Sequence, residues 1–139
     1  MSNQLVSVIM GVYNNEDTVK NAIESILNQS YKNIELIITD DNSSDNSVSI
    51  IKNYLNLKNI KLIENKENIG LTKSLNLMIE ASKGKIIARQ DADDISLEKR
   101  IEVQVGQINK LNLDFVSSRA KNIQTNKNIP NISYNLPYK

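Results

Sequence analysis

Two apolar periods alternate along the chain. Leu5-Val6-Ser7-Val8-Ile9-Met10 is a short run rich in β-branched residues, and the stretch from Gly11 to Glu16 interrupts it. Val19, Ala22, Ile23, Ile26 and Leu27 then recur at helix spacing. Ile34 to Thr39 reads as a second strand, ended by Asp40-Asp41-Asn42-Ser43-Ser44, whose residue types suit a turn and a helix N-cap. Val48, Ile51 and Leu55 mark a second helix, and Ile60 to Glu64 a third strand. Past Gly70, a helix bearing Leu71, Leu75, Met78 and Ile79 is closed by Gly84. Lys85 to Arg89 is the fourth strand, and Ser96 opens a long helix carrying Leu97, Ile101, Val105, Ile108 and Leu111. Phe115-Val116 predicts the start of a fifth strand, and the Asn-rich stretch 122–139, with Pro130 and Pro137, reads as a hairpin or partly ordered tail after a domain over 1–121.

Repeated βα units joined by short turns predict an α/β fold: a mainly parallel sheet with right-handed crossovers and helices on both faces, in three layers. All strand-to-helix loops then lie on the carboxyl edge of the sheet, where ligands of open α/β sheets bind. Of the eight aspartates, Asp40, Asp41, Asp91, Asp93 and Asp94 follow strands two and four, whereas the helix-to-strand turns contain none. Solubility alone would scatter charge over both edges, so the carboxyl edge is the expected working face.

The densest charge is Asp91-Ala92-Asp93-Asp94, after the apolar run Ile86-Ile87-Ala88. If the strand continues, Asp91 and Asp93 point the same way and converge on one cation. Carboxylates this close repel, and an oxygen-preferring divalent ion, Mg²⁺ or Mn²⁺, relieves the repulsion. A solvated turn or a helix cap is the alternative.

Composition narrows the chemistry. The 139 residues make one domain with 40% hydrophobic and 24% charged residues, and 17 basic against 16 acidic groups leave a net charge of +1, so no global field favours nucleic acid or an anionic membrane. Cysteine and histidine are both absent, which excludes disulfides, thiolate metal sites, a Cys nucleophile and the commonest general base. The N-terminus Met1-Ser2-Asn3-Gln4 has neither basic leader nor long apolar run, and a cytoplasmic location is expected.

Gly11-Val12-Tyr13-Asn14 reaches the same edge: Gly11 either makes the turn or lets a ligand approach the backbone, and Tyr13 either covers the sheet end or stacks on a base. Asp41 can accept from an imide or a ribose hydroxyl, or serve with Asp40 as a cap. Lys73 and Arg89 are the cations placed to meet a phosphate, against the alternative of a solvated Lys and of an Arg neutralising its acidic neighbours. Neither Gly-x-Gly-x-x-Gly nor Gly-x-x-x-x-Gly-Lys-Ser/Thr occurs, which disfavours a dehydrogenase or a nucleoside triphosphatase. A signalling receiver domain would carry its acidic pair after strand one, not strand two.

Four segments, Val6 to Asn14, Ile37 to Ser43, Gly70 to Asn76 and Ile87 to Ser96, stand in the order and spacing of the donor-site motifs of family 2 glycosyltransferases, which the chain resembles up to about Ser118. The resemblance implies a Rossmann-like GT-A fold and a nucleotide-sugar donor, usually a UDP-sugar, with Mg²⁺ or Mn²⁺. It implies that Gly11, Val12, Tyr13 and Asp41 surround the uracil, that Asp91 approaches ribose and metal, and that Asp93 is the main metal ligand. Lys73 or Arg89 would be the phosphate-side cation. It further implies inverting transfer to a saccharide or lipid-linked acceptor, with an acidic base beyond Lys139 in an acceptor-binding half, and it allows peripheral membrane association and a homo-oligomer. The alternative is a non-catalytic nucleotide-binding or association domain.

Overall fold

The computed structural model describes residues 4–121, so the expectation for the tail at 122–139 lies outside the described residues. Four strands, β1 (Val6–Val12), β2 (Ile34–Asp40), β3 (Ile60–Glu64) and β4 (Ile86–Asp91), form a wholly parallel sheet in the order β3-β2-β1-β4. Between and after them run α1 (Val19–Leu27), α2 (Ser47–Lys52), α3 (Leu71–Ala81) and α4 (Arg100–Leu111).

The central strand β1 is buried on both faces, as its nearly unbroken apolar run requires. Val6, Val8, Met10 and Val12 point to one side, where they meet Ala22 and Ile23 of α1, Ile51 of α2 and Ile101 of α4 in the main core. Ile9 points to the other and packs with Ile37 of β2 and Met78 of α3. The strand period of two thus places helices on both faces, giving the expected three layers. Truncating a core residue such as the fully buried Leu36 to Ala is expected to cost about 2–5 kcal/mol.

Four local expectations fail. Helix α2 ends at Lys52, so Leu55 lies in the following turns, partly exposed. Ser96 does not open α4. The helix starts at Arg100, and Leu97, 82% exposed, precedes it, because the Ser96 hydroxyl is drawn away to the Gln90 side chain. Helix α3 closes at Ser82 rather than at Gly84. The fifth strand at Phe115-Val116 does not form: Asn112 adopts the left-handed conformation, Phe115 is 79% exposed, and residues 114–121 carry no strand. β4 therefore pairs only with β1 among the described residues.

Candidate functional site

The carboxyl ends of β1, β2 and β4 lie side by side, because Gly11 is in register with Thr39 on one flank and with Asp91 on the other. Over them opens a cleft of about 280 Å³ lined by Gly11, Val12, Tyr13, Asp41, Arg89, Asp91 and Asp93, together with Asn15, Leu71, Ser74 and Ala92. Seven of the eight expected site residues are thereby brought to one place. Lys73 is not; it stands on an exposed position of α3, outside the cleft lining.

The first wall is built from three interlocked loops. Asp41 donates its backbone N–H to the Val12 carbonyl (2.8 Å), which carries β1–β2 pairing one step past the strands. Its carboxylate, on a residue only 5% exposed, accepts three hydrogen bonds from the β3–α3 loop: Asn65 Nδ2 (2.8 Å) and the Ile69 N–H (2.9 Å) on Oδ1, and the Gly70 N–H (2.8 Å) on Oδ2. Burial alone would raise the Asp41 pKa, but these donors, with Ser74, outweigh it and hold the group below its ordinary value. Gly70 turns its N–H toward Asp41 at φ 86°, a backbone conformation that a Cβ would strain. Gly11 is open for a different reason: a Cβ there would lie 2.8 Å from Leu71 Cδ1, so the glycine keeps room between strand and helix.

The loops after β1 and β2 also clasp each other reciprocally. The Asn14 N–H donates to Ser43 Oγ (2.9 Å) while the Ser44 N–H donates to Asn14 Oδ1 (2.9 Å). The Asn15 N–H donates to Ser47 Oγ and the Glu16 N–H to Asp45 Oδ2, both at 2.9 Å, and Glu16 Oε2 accepts from the Asn46 N–H (2.9 Å). Asn14 and Asn42 take the left-handed conformation at φ 52° and 64°, which Asn tolerates better than most residues. Tyr13 is thus carried on a stiff loop with its own side chain 51% exposed toward the cleft.

The second wall is acidic and open. β4 ends at Asp91, and Ala92-Asp93 belongs to a turn closed by the Asp94 N–H donating to the Asp91 carbonyl (3.1 Å). Strand pleating therefore does not align Asp91 with Asp93, as expected above; the turn brings both to the cleft. Pleating does align Asp91 with Arg89, two residues earlier, which grips it through Nε–Oδ1 (2.9 Å) and Nη2–Oδ2 (3.3 Å). Asp93 is exposed and has no hydrogen-bond or ion-pair partner among the described residues. Burial, then the charges of Asp91 and Asp93, raise the Asp94 pKa against the opposing pull of Arg100 and Arg89. Asp40 is not among the residues that line the cleft; it closes its own turn by accepting from the Ser43 N–H (3.0 Å).

Sequence reasoning gave no role to Ser74, whose hydroxyl accepts from Asn65 Nδ2 (3.1 Å), nor to Asn15, whose Oδ1 accepts from the Tyr13 N–H (3.1 Å). Ser74 was signalled by its i, i+4 spacing from the core residue Met78, which puts the two on the buried face of α3.

Among the described residues no group of three or more acidic side chains is arranged to hold a metal. The carboxyl edge thus offers an ion one or two carboxylates, which is the number that leaves coordination positions for phosphate oxygens. The donor set, oxygen only and with Asp93 unengaged, fits Mg²⁺ or Mn²⁺ on those terms.

Comparison with known proteins agrees with this fold. Residues 7–138 match the model of glycosyl transferase family 2. EpsE of Bacillus subtilis (strain 168) is 51% identical over 107 residues, 76% of this chain and 38% of that protein. The UDP-Glc:alpha-D-GlcNAc-diphosphoundecaprenol beta-1,3-glucosyltransferase WfgD of Escherichia coli is 35% identical over 126 residues, 91% of this chain and 49% of that protein. The structure of S. aureus TarS 1-349 in complex with UDP-GlcNAc superposes with a TM-score of 0.72 at 25% identity, over 76% of this chain and 31% of that one. The matched part of the chain thus spans between 31% and 49% of the length of these three proteins.

Proposed function

The chain belongs to glycosyl transferase family 2, with the GT-A fold of that family, and from this premise we propose that it is the donor-binding part of an inverting glycosyltransferase. The donor is a nucleotide-diphospho-sugar, UDP-linked in our reading, bound with Mg²⁺ or Mn²⁺, and the acceptor is a saccharide or a lipid-linked saccharide. The observation that carries this reading is the shared cleft: a nearly buried, multiply bonded Asp41 and an exposed, unengaged Asp93 line one opening at the carboxyl edge. The choice of UDP draws on the sugar-nucleotide bound to TarS and on the donor in the name of WfgD, whose diphosphoundecaprenol acceptor also supports work close to a membrane surface. Among the described residues no helix is long and apolar enough to cross a membrane.

In this reading the base stacks on Tyr13 beside Gly11 and Val12, with Asp41 and the backbone it organises facing the base edge. Asp93, with Asp91, holds the cation. When bound, that ion neutralises the charge that develops on the departing diphosphate. Arg89 holds Asp91 before the donor arrives and is the cation beside the phosphate path, in place of Lys73, which lies outside the cleft. The base that takes the acceptor hydroxyl proton is assigned outside residues 4–121, because the free carboxylate of the cleft is the one the cation uses, and bound carboxylates lose basicity.

A panel of UDP, GDP, CDP and TDP, each with and without Mn²⁺, tests this through the melting temperature. Ligand linkage predicts a rise with UDP that grows with Mn²⁺. No shift with any of the four removes the donor-site reading.

A further inference from the structure

Beneath the acidic turn lies a polar cluster whose own side chains do not line the cleft. Gln90, 4% exposed, points from β4 to the face opposite Arg89 and Asp91, toward α4. Its Nε2 donates to the carbonyls of Asp91 (3.1 Å) and Asp94 (2.8 Å), the two ends of the turn that presents Asp93. Its Oε1 accepts from Ser96 Oγ (2.6 Å) and Arg100 Nη2 (3.2 Å), and Arg100 Nε donates to Ser96 Oγ (2.7 Å). Arg100 is steadied in turn by Gln104 Oε1 (3.3 Å).

Every hydrogen-bonding capacity of the Gln90 amide is used, both donors on the turn and both acceptor sites on α4 and its approach. The amide has only one orientation that works. A guanidinium cannot accept, so Oε1 must face Arg100, and that forces both N–H groups onto the turn. Burial lowers the Arg100 pKa, opposed by the charge of Asp94, and among the described residues no carboxylate lies within ion-pair distance of its guanidinium. A guanidinium committed to a neutral amide is the arrangement expected if its work is orientation.

We infer that Gln90 is a positioning residue of the donor site: clamped by Ser96 and Arg100, it fixes the Asp91–Asp94 turn and so sets where Asp93 meets the cation. The consequence for binding rests on the donor-site reading above, while the clamp itself does not.

Gln90→Met tests it, because the side chain keeps its length, loses both N–H donors, and leaves Ser96 and Arg100 bonded to each other. The Asp94 amide, which closes the turn, is expected to exchange with deuterium about tenfold faster in the ligand-free variant, while the Ile101 amide, held by Gln29 Oε1 (3.0 Å), keeps its protection. The dissociation constant for UDP is expected to rise about tenfold with Mn²⁺ present and to stay within about twofold without it. Arg100→Lys, which loses the planar fork, should show the same pattern more weakly and serves if Gln90→Met does not fold. Unchanged Asp94 exchange in a folded variant overturns the inference, as does a loss of protection spread evenly over the domain. A wild-type chain that binds no UDP overturns the donor-site reading instead, and the exchange experiment still decides whether Gln90 holds the turn.

Discussion

Asp41 and Asp93 line the same cleft and have the same side chain, yet they live under opposite conditions. Asp41 is nearly buried and its oxygens already receive three hydrogen bonds, two of them from backbone N–H groups. Asp93 is exposed, without a partner among the described residues, and stands in an acidic turn between Asp91 and Asp94. The difference separates architecture from recognition. A carboxylate satisfied by its own chain shapes the wall against which a ligand rests, whereas one left unsatisfied among like charges is stabilised by what comes from outside.

The sharpest way to break this contrast is Asp41→Ala, expected to destabilise the ligand-free chain by about 3 kcal/mol, since it strands the Ile69 and Gly70 N–H groups in a half-buried loop. Denaturant unfolding measures it, and a loss below about 1 kcal/mol would mean that the loop finds water instead. Asp93→Ala is the mirror experiment. Melting of the free chain should stay level or rise slightly as a like charge disappears, while UDP affinity in Mn²⁺ falls about tenfold or more.

Acid sharpens the contrast further. Asp41 and Asp45 both have folded pKa values below the ordinary 3.8, because hydrogen bonds to each carboxylate outweigh the burial that would raise it. Each therefore contributes stability that is present in full above about pH 5 and is lost as pH falls from about 4 through the lower folded value. Stability measured from about pH 6 down to about pH 2 should decline only in its acid part, and Asp41→Asn should flatten that decline. The smallest effect is expected from Tyr13→Ala: the half-exposed ring holds no core contact, so the melting temperature should barely move while UDP affinity drops by about 1–2 kcal/mol, the worth of one base stack.

The parts of this molecule legible in its sequence are those governed by period. The alternation of two- and 3.6-residue apolar spacing carried the four strands, the four helices and the parallel order, and parallel order sent Asp41 and Asp93 to one edge. What stayed hidden depends on individual hydrogen bonds between distant loops. Ser96 looks like a helix cap until Gln90 is known to compete for its hydroxyl, and α4 then starts four residues later, at Arg100. Asp41 reads from the sequence as a ligand group or a local cap; its three bonds to a loop some 24 to 29 residues away have no local signature. Asp91 and Asp93 reached the cleft for a reason other than pleating, since the strand ends between them. Phe115-Val116 has strand composition, but composition cannot supply the pairing that would make it one.

The central claim is that the two walls act together on one donor, and a calorimetric titration of UDP into wild-type and Asp93→Ala chains, each with and without Mn²⁺, addresses it most directly. Mn²⁺ should strengthen UDP binding to the wild type and do nothing for the variant, while the two chains should bind metal-free UDP alike. Equal strengthening by Mn²⁺ in both chains, or no UDP binding to either, would contradict it.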